Sequence, residues 1–599
     1  MYIALAACLA LLLVVGGVIA LPMLGDKGGD GGEYQDSPYA ALIGKLADLK
    51  KENDRYYTEG LMGELTGDVP DDGMPDMEPN PMDPAEGVDS YVEVTDNQVS
   101  GVTEGDLFKR SDRYIYYLDG DTLYVYTIDG EKSEKAGSYH LPSESGYVGK
   151  NENVRQGESE LFLSKDCKTV TVLLSLWNSS NREERVQILS LDVSDPADIV
   201  CVGGVSLTGV YASARCIDGK FLVMTSYSLS LQKVDFNQPD TFVPAITRGQ
   251  DVELIAPEQV FCPDKAVNTH YTVLTLFEEG SLETVDASAL LSYNDDPYIT
   301  AERIFAYRTF THSEDQGNLV KNKQMTEILA LSYTEKGFSE LGGITLEGYL
   351  KDRYSLDEHN GILRAVTTVQ NYSYKKFDDT VDVQIDDAYL ENAGGSHVSA
   401  SLYCIDLEKM KIAAEVKDFS PEGETVQSVR FEGTNAYVCT AIVFTDPVFF
   451  FDLSDLEAIT YKETPPIEGY SSSLVTFGKG NLLGIGKSNG WDTLKVEIYR
   501  EGENAVESVS IFELKSAYAS EDYKAYYIDR ANGLVGLGYQ DNDSGKSRYL
   551  VLHFDGIALK EVANVELNGS AVYQRGVYID GYYYFLGDDD FQVHPLVLE

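Results

Sequence analysis

The residues best suited to chemistry in this chain are carboxylates crowded into short stretches. "YQDNDSGKS" sets Asp541, Asn542 and Asp543 ahead of Gly545, and "LGDDDFQ" runs Asp588, Asp589 and Asp590 together. "DDTVDVQIDD" adds Asp378, Asp379, Asp382, Asp386 and Asp387. Ca²⁺ takes about six to eight hard oxygen ligands. Asp541, Asp543, Asp588, Asp589 and Asp590 are therefore the candidate metal ligands, and Ca²⁺ is the one cofactor the residue types suggest. The competing reading is a solvated turn. The first stretch is only a fragment of an EF-type loop, lacking its third acid and its bidentate Glu.

Catalytic constellations are near misses. "DEHNGILR" brings Asp357, Glu358, His359 and Arg364 close together, but on a hairpin Asp357 and His359 share one face while Glu358 points to the other. The other histidines stand apart, without HxH, HxxxH or HExxH spacing. "GNLLGIGKS" (residues 480–488) has the wrong spacing for a phosphate-binding loop, and it reads as a strand rather than the start of a helix. No G-x-S-x-G elbow occurs. No local catalytic set is therefore expected and a non-enzymatic role is favoured, although a ring-shaped fold could assemble separated residues at its centre.

The scaffold carrying these residues is read from the rest of the chain. Acidic residues number 98 against 47 basic, a formal charge of −51. Such a surface repels phosphate backbones, which excludes nucleic acid as a partner. Seven scattered cysteines, with no CxxC or Cys/His spacing, exclude a zinc ribbon or a dense disulfide framework.

Residues 2–24 carry no charge, enough to span a bilayer core of about 30 Å as a helix. Residues 1–25 are thus expected to be a single-pass membrane anchor, with a cleaved signal peptide as the rival reading and the acidic remainder outside the cytoplasm. Residues 26–36 form a Gly-rich spacer. Residues 37–57 form a short helix, with Ser37 as N-cap, Pro38 in the first turn, and Leu42, Ile43, Leu46 and Leu49 on one face. That stripe is expected to dock on the large domain. Residues 58–90, rich in Pro and Asp, read as a disordered acidic linker.

From residue 91 to 599 the chain is all-β. Short apolar runs flank Asn-Gly and Asp-Gly pairs, as in "CIDGKFLVM", "DEHNGILRAV" and "VYIDGYYYFLG". Those dipeptides supply the positive φ angles of tight hairpin turns. Units open near Gly105, Glu158, Tyr211, Pro297, Asp352, Thr425, Ser471 and Ser520. About four strands per unit, repeated in this way, predict one large β-propeller of eight blades, with seven the alternative. The final "VYQRGVYIDGYYYFLGDDD" is expected to pair with the first strands and close the ring.

Five stretches carry a family resemblance. "DNQVSGVTEGDLFKRSDRYIYYLDGDTLYVY" (residues 96–126) resembles the opening of a family of secreted or membrane-anchored bacterial and archaeal β-propeller proteins, distantly related to WD40 repeats. "LEGYLKDRYSLDEHNGILRAVTT", "VQSVRFEGTNAYVCTAIVFTDPVFFFDLSD", "IEGYSSSLVTFGKGNLLGIGK" and "SEDYKAYYID" resemble later stretches of the same family, in order. Ser473, Val475 and Thr476 replace the family's Tyr and His-Pro, and Tyr523 stands where a His is common. The resemblance implies fold and extracytoplasmic placement but no ligand. The expected function is a binding or scaffold module for a protein or a cell-surface glycan. A polymer hydrolase or lyase with a composite site at the channel mouth is the alternative, and a Ca²⁺-stabilised adhesion module is a third.

Overall fold

The computed structural model describes residues 34–598 apart from 35, 59–89, 96, 100, 142–153, 179–182, 318, 335, 376–395, 443–444, 465–466, 479, 489–491, 503–504 and 521–522. The apolar run 2–24, the linker's Pro/Asp stretch and the carboxylates Asp378 to Asp387 lie outside the described residues. Among those described, no helix is long and apolar enough to cross a membrane.

Hairpin geometry is set by the turn residues. Asp218–Gly219, Asn360–Gly361 and Asp580–Gly581 each place two consecutive residues at positive φ (46° and 79°, 52° and 78°, 48° and 87°). That is the twist a two-residue turn needs to join right-handed strands. The strands so joined group along the chain into antiparallel units, numbered here in order: 108–140, 154–208, 210–291, 298–347, 356–416, 425–463, 470–515, 517–566 and 575–595. Each of the first eight has at least four strands and the last has three. Units four and five are fused, because Leu319–Lys323 pairs with Asn371–Lys375.

The final stretch departs from expectation. It pairs with itself as the three strands Arg575–Ile579, Tyr582–Gly587 and Asp590–Pro595, and forms no ladder with a described strand of unit one. The reason is local. Asp580–Gly581 and Asp588–Asp589 fold it into two consecutive hairpins, which use up the ladder bonds of its central strand.

Apart from the ladder that fuses units four and five and the pairing of Ile246–Thr247, in the unit-three insertion, with Ser206–Leu207 of unit two, side-chain packing joins one unit to the next. Nine apolar clusters each bridge two neighbours, from Leu123 and Val172 between units one and two to Tyr549 and Phe585 between eight and nine. The last of the nine closes the circle by packing Phe108, Ile115 and Tyr117 of unit one on Val577, Tyr584 and Leu586 of unit nine. Burying one such side chain contributes roughly 1.5–3 kcal/mol. The single described α-helix, α1 (Ala40–Thr58), lies outside this circle. Its stripe Leu42, Ile43, Leu46 and Leu49 is buried on Leu229, Leu231, Val234, Phe242 and Ile255, which belong to an insertion of unit three.

Candidate functional site at the ring axis

One short segment reaches toward the middle of the ring from the edge of unit one. Thr103–Glu104 pairs antiparallel with Arg215–Cys216 of unit three. Two residues on, Asp106 forms an isolated bridge with Leu161 of unit two. Gly105 between them touches the floor of the site. A Cβ there would meet Glu160 Oε2 at 2.2 Å and the Phe162 ring at 2.7 Å, so no larger residue fits without displacement.

Glu104 is the centre of a buried ionic cluster. Its carboxylate accepts from Arg353 Nη2 at 3.0 Å and from the Tyr523 hydroxyl, and Arg215 Nη2 lies 3.7 Å away. Arg353 stacks between the Tyr354 and Tyr523 rings (5.0 and 5.2 Å to the centroids) and also bonds Asp296 at 2.6 Å. Gln98 completes the grip, accepting from Arg353 Nε at 3.1 Å and donating to the carbonyls of Arg353 and Leu356. Beside this set, Lys524 pairs with Glu160, which also accepts from the Tyr211 hydroxyl. Asp106 pairs with Arg575 Nε at 2.8 Å.

Two equivalent devices present the cations. Arg353–Ser355 and Tyr523–Ala525 are single 3₁₀ turns, each directly preceding a strand of its unit (Leu356–His359 and Tyr526–Asp529). Asp352 caps the first of them, accepting from Tyr354 N at 2.9 Å. Such a turn projects one side chain inward just before the strand begins.

The electrostatics are those of a satisfied cluster. Burial alone would raise the Glu104 carboxyl, but Arg215, Arg353 and Lys524 outweigh it and hold it well below the usual carboxylate range. Burial raises Asp106, with Arg575 and Lys109 offsetting only part of the effect. Burial likewise pushes the Tyr211 and Tyr523 hydroxyls well up, so both stay protonated donors. Four cations (Arg215, Arg353, Lys524, Arg575) meet four carboxylates (Glu104, Asp106, Glu160, Asp296). They bond one another, so the cluster locks the segment in place.

The carboxylates singled out from the sequence lie in two separate hairpin turns. Asp541 accepts from the backbone of Asp543 (3.0 Å) and Ser544 (3.3 Å) and from the Ser544 hydroxyl, which organises its own turn. Asp590 accepts from Asn568 N, and Asp589 accepts from the Tyr124 hydroxyl at 2.6 Å and donates its N–H to Asp119. Among the described residues no group of three or more His, Cys, Asp or Glu side chains is arranged to hold a metal ion. In "DEHNGILR", Asp357 pairs with Arg364, while Glu358 pairs with Arg303 on the other face. Arg364 also donates to Gly433 O of the next unit, so this motif is a joint between blades.

The axial residues themselves carry no chemical signal in the sequence. Their only signal is position: Glu104 and Asp106 lie in "VTEGDLFK", Arg353 in "LKDRYS" and Lys524 in "SEDYKAY", all stretches that carry the family resemblance.

Residues 93–596 match the model of a family described as "Beta propeller domain". An uncharacterized protein of Archaeoglobus fulgidus is 23% identical over 84% of this chain and 82% of its own length. An uncharacterized protein of Methanocaldococcus jannaschii is 24% identical over 73% of this chain and 72% of its own. Among solved structures, the dihydro-heme d1 dehydrogenase NirN aligns over 77% of this chain and 75% of its own, at 12% identity and a TM-score of 0.35. A complex of KlAtg21 with the coiled-coil of AgAtg16 aligns over 68% of this chain and 98% of its own, at 10% identity and a TM-score of 0.32.

Proposed function

Because the chain belongs to the beta-propeller domain family, we propose that it is a membrane-anchored, extracytoplasmic binding scaffold. Its ligand on this reading is a protein or a cell-surface glycan, met by the loops and outer strands. The observation that carries the proposal is the occupied axis. The chain's own Glu104 and Asp106 engage the cations that converge there, which leaves recognition to the periphery. We read each hydrogen-bonded unit as one blade. That gives nine, one more than the turn spacing predicts, because the final stretch packs as a blade of its own.

The anchor is inferred from the uncharged run 2–24, and the placement outside the cytoplasm from the acidity of the residues after it. The test is a retention assay with the purified full chain and size-defined cell-envelope glycans, read for both bound polymer and released reducing ends. Retention of intact polymer, or of a protein ligand in its place, supports the scaffold. Shortening of the polymer would transfer the function to the hydrolase or lyase reading.

A further inference from the structure

The docked helix bears on how the ring stands relative to a membrane. Helix α1 is held firmly. The Tyr39 hydroxyl donates to Ile255 O at 2.7 Å, and Lys45 bonds Asp264 O. Tyr34, ahead of the helix, meets the Phe236 ring edge-on at 5.5 Å. Tyr34, the first docked residue among those described, stands ten residues after Leu24 at the end of the uncharged run. At 3.3–3.6 Å per residue, ten peptide steps reach no further than about 35 Å.

An undocked helix would instead add its own length, and the subsequent linker residues theirs, leaving the ring free to turn. Docking removes that freedom and ties one sector of the ring, the 229–262 insertion of unit three, to the anchor. Counting round the circle of nine packed units, the seam between units seven and eight lies across from unit three, each of the two being four steps away.

We propose that the protein stands with the unit-three insertion toward the lipid surface and units seven and eight away from it. This inference rests on the membrane anchoring proposed for residues 2–24. The facing sector carries Asp235, Asp240, Asp251, Glu253, Glu258 and Asp264 against Lys233, Arg248 and Lys265. An anionic bilayer would therefore hold it at a short distance without binding it.

The test uses the full chain reconstituted into vesicles with a fluorescence acceptor in the lipid. A donor dye is placed through Gln238→Cys, beside Phe236, or through Ile557→Cys, at the exposed turn of unit eight. The unsubstituted chain supplies the background from native thiols. The expected result is flotation with vesicles and transfer at position 238 at least about twofold above that at 557, since only the former is within tether reach. Flotation with equal transfer, or more at 557, overturns the orientation while leaving the anchor intact. Failure to float refutes the anchor, and the orientation falls with it. Leu46→Asp, which undocks the helix, should level the two signals in a chain that still floats; an undiminished difference would show that the helix does not set the orientation.

Discussion

The axis of the ring and the seam between units nine and one both hold the circle together, by opposite means. The axis is charged: Glu104 and Arg353 are 1% and 6% exposed, and their energy lies in mutual satisfaction. The seam is aromatic. Tyr126 stacks on Phe591 at 4.1 Å, the Tyr584 hydroxyl accepts from Gly130 N, and Tyr117 donates to Tyr573 O. Area and stacking degrade gradually when trimmed, whereas a buried ion pair fails abruptly when one partner is lost. Closure by packing thus tolerates variation, while the axis requires its partners together.

Perturbations should separate the two in order of size. Arg353→Met strands the Glu104 carboxylate in the interior, and urea unfolding should show a loss of about 3–5 kcal/mol. Adding Glu104→Gln should recover only a part of it, since it removes the stranded carboxylate but leaves buried Arg215 without its ion-pair partner. Phe591→Ala at the seam should cost less, about 2 kcal/mol, because that ring is only partly buried. No second substitution is expected to recover it.

A smaller effect is tied to pH. Asp119 at the seam is raised to about 6, first by burial and then by its neighbour Asp588, against an ordinary value of 3.8. The folded state therefore holds this proton more tightly than the unfolded chain. Its contribution is present below about pH 4 and is lost as pH rises toward 6. Asp119→Asn should stabilise the protein by about 1 kcal/mol at pH 7 and by nothing near pH 4, a figure discounted for the group's partial exposure. Thermal melts across that range check it. The smallest expected change is with Ca²⁺. The Asp541 and Asp590 carboxylates are already engaged in their turns, so Ca²⁺ against chelator should move the melting midpoint by less than about 1 °C.

Much of the architecture is legible in the sequence because hairpins are local. An Asn-Gly or Asp-Gly pair between apolar runs states both the turn and the pairing it enforces, and the eight predicted unit openings fall at or close to the first strands of the first eight units. The final stretch defeats the same reasoning because its partner is decided by competition. "GVYIDGYYYFLGDDDFQVHP" contains two turns, and its own ladder outcompetes pairing with unit one. The axial cluster is legible in no local pattern. Glu104, Arg215, Arg353, Tyr523 and Arg575 are brought together only by closing the ring, and each alone resembles an ordinary charged or polar residue beside a strand. Conversely, Asp588 to Asp590 stand out because they are adjacent in sequence, and in the structure Asp589 and Asp590 bond the Tyr124 hydroxyl and the Asn568 amide.

If the chain seals its own axis with residues 98–106, native-state hydrogen exchange on the full chain should show it. The amides of Val102, Glu104 and Asp106 bond Val99 O, Asn97 Oδ1 and Leu161 O. They should exchange as slowly as core-strand amides such as Val172 and Leu550, at the global unfolding free energy. Exchange at the rate of exposed turns, with the core still protected, would mean that the segment leaves the axis in the native state and that the axis is open to ligands.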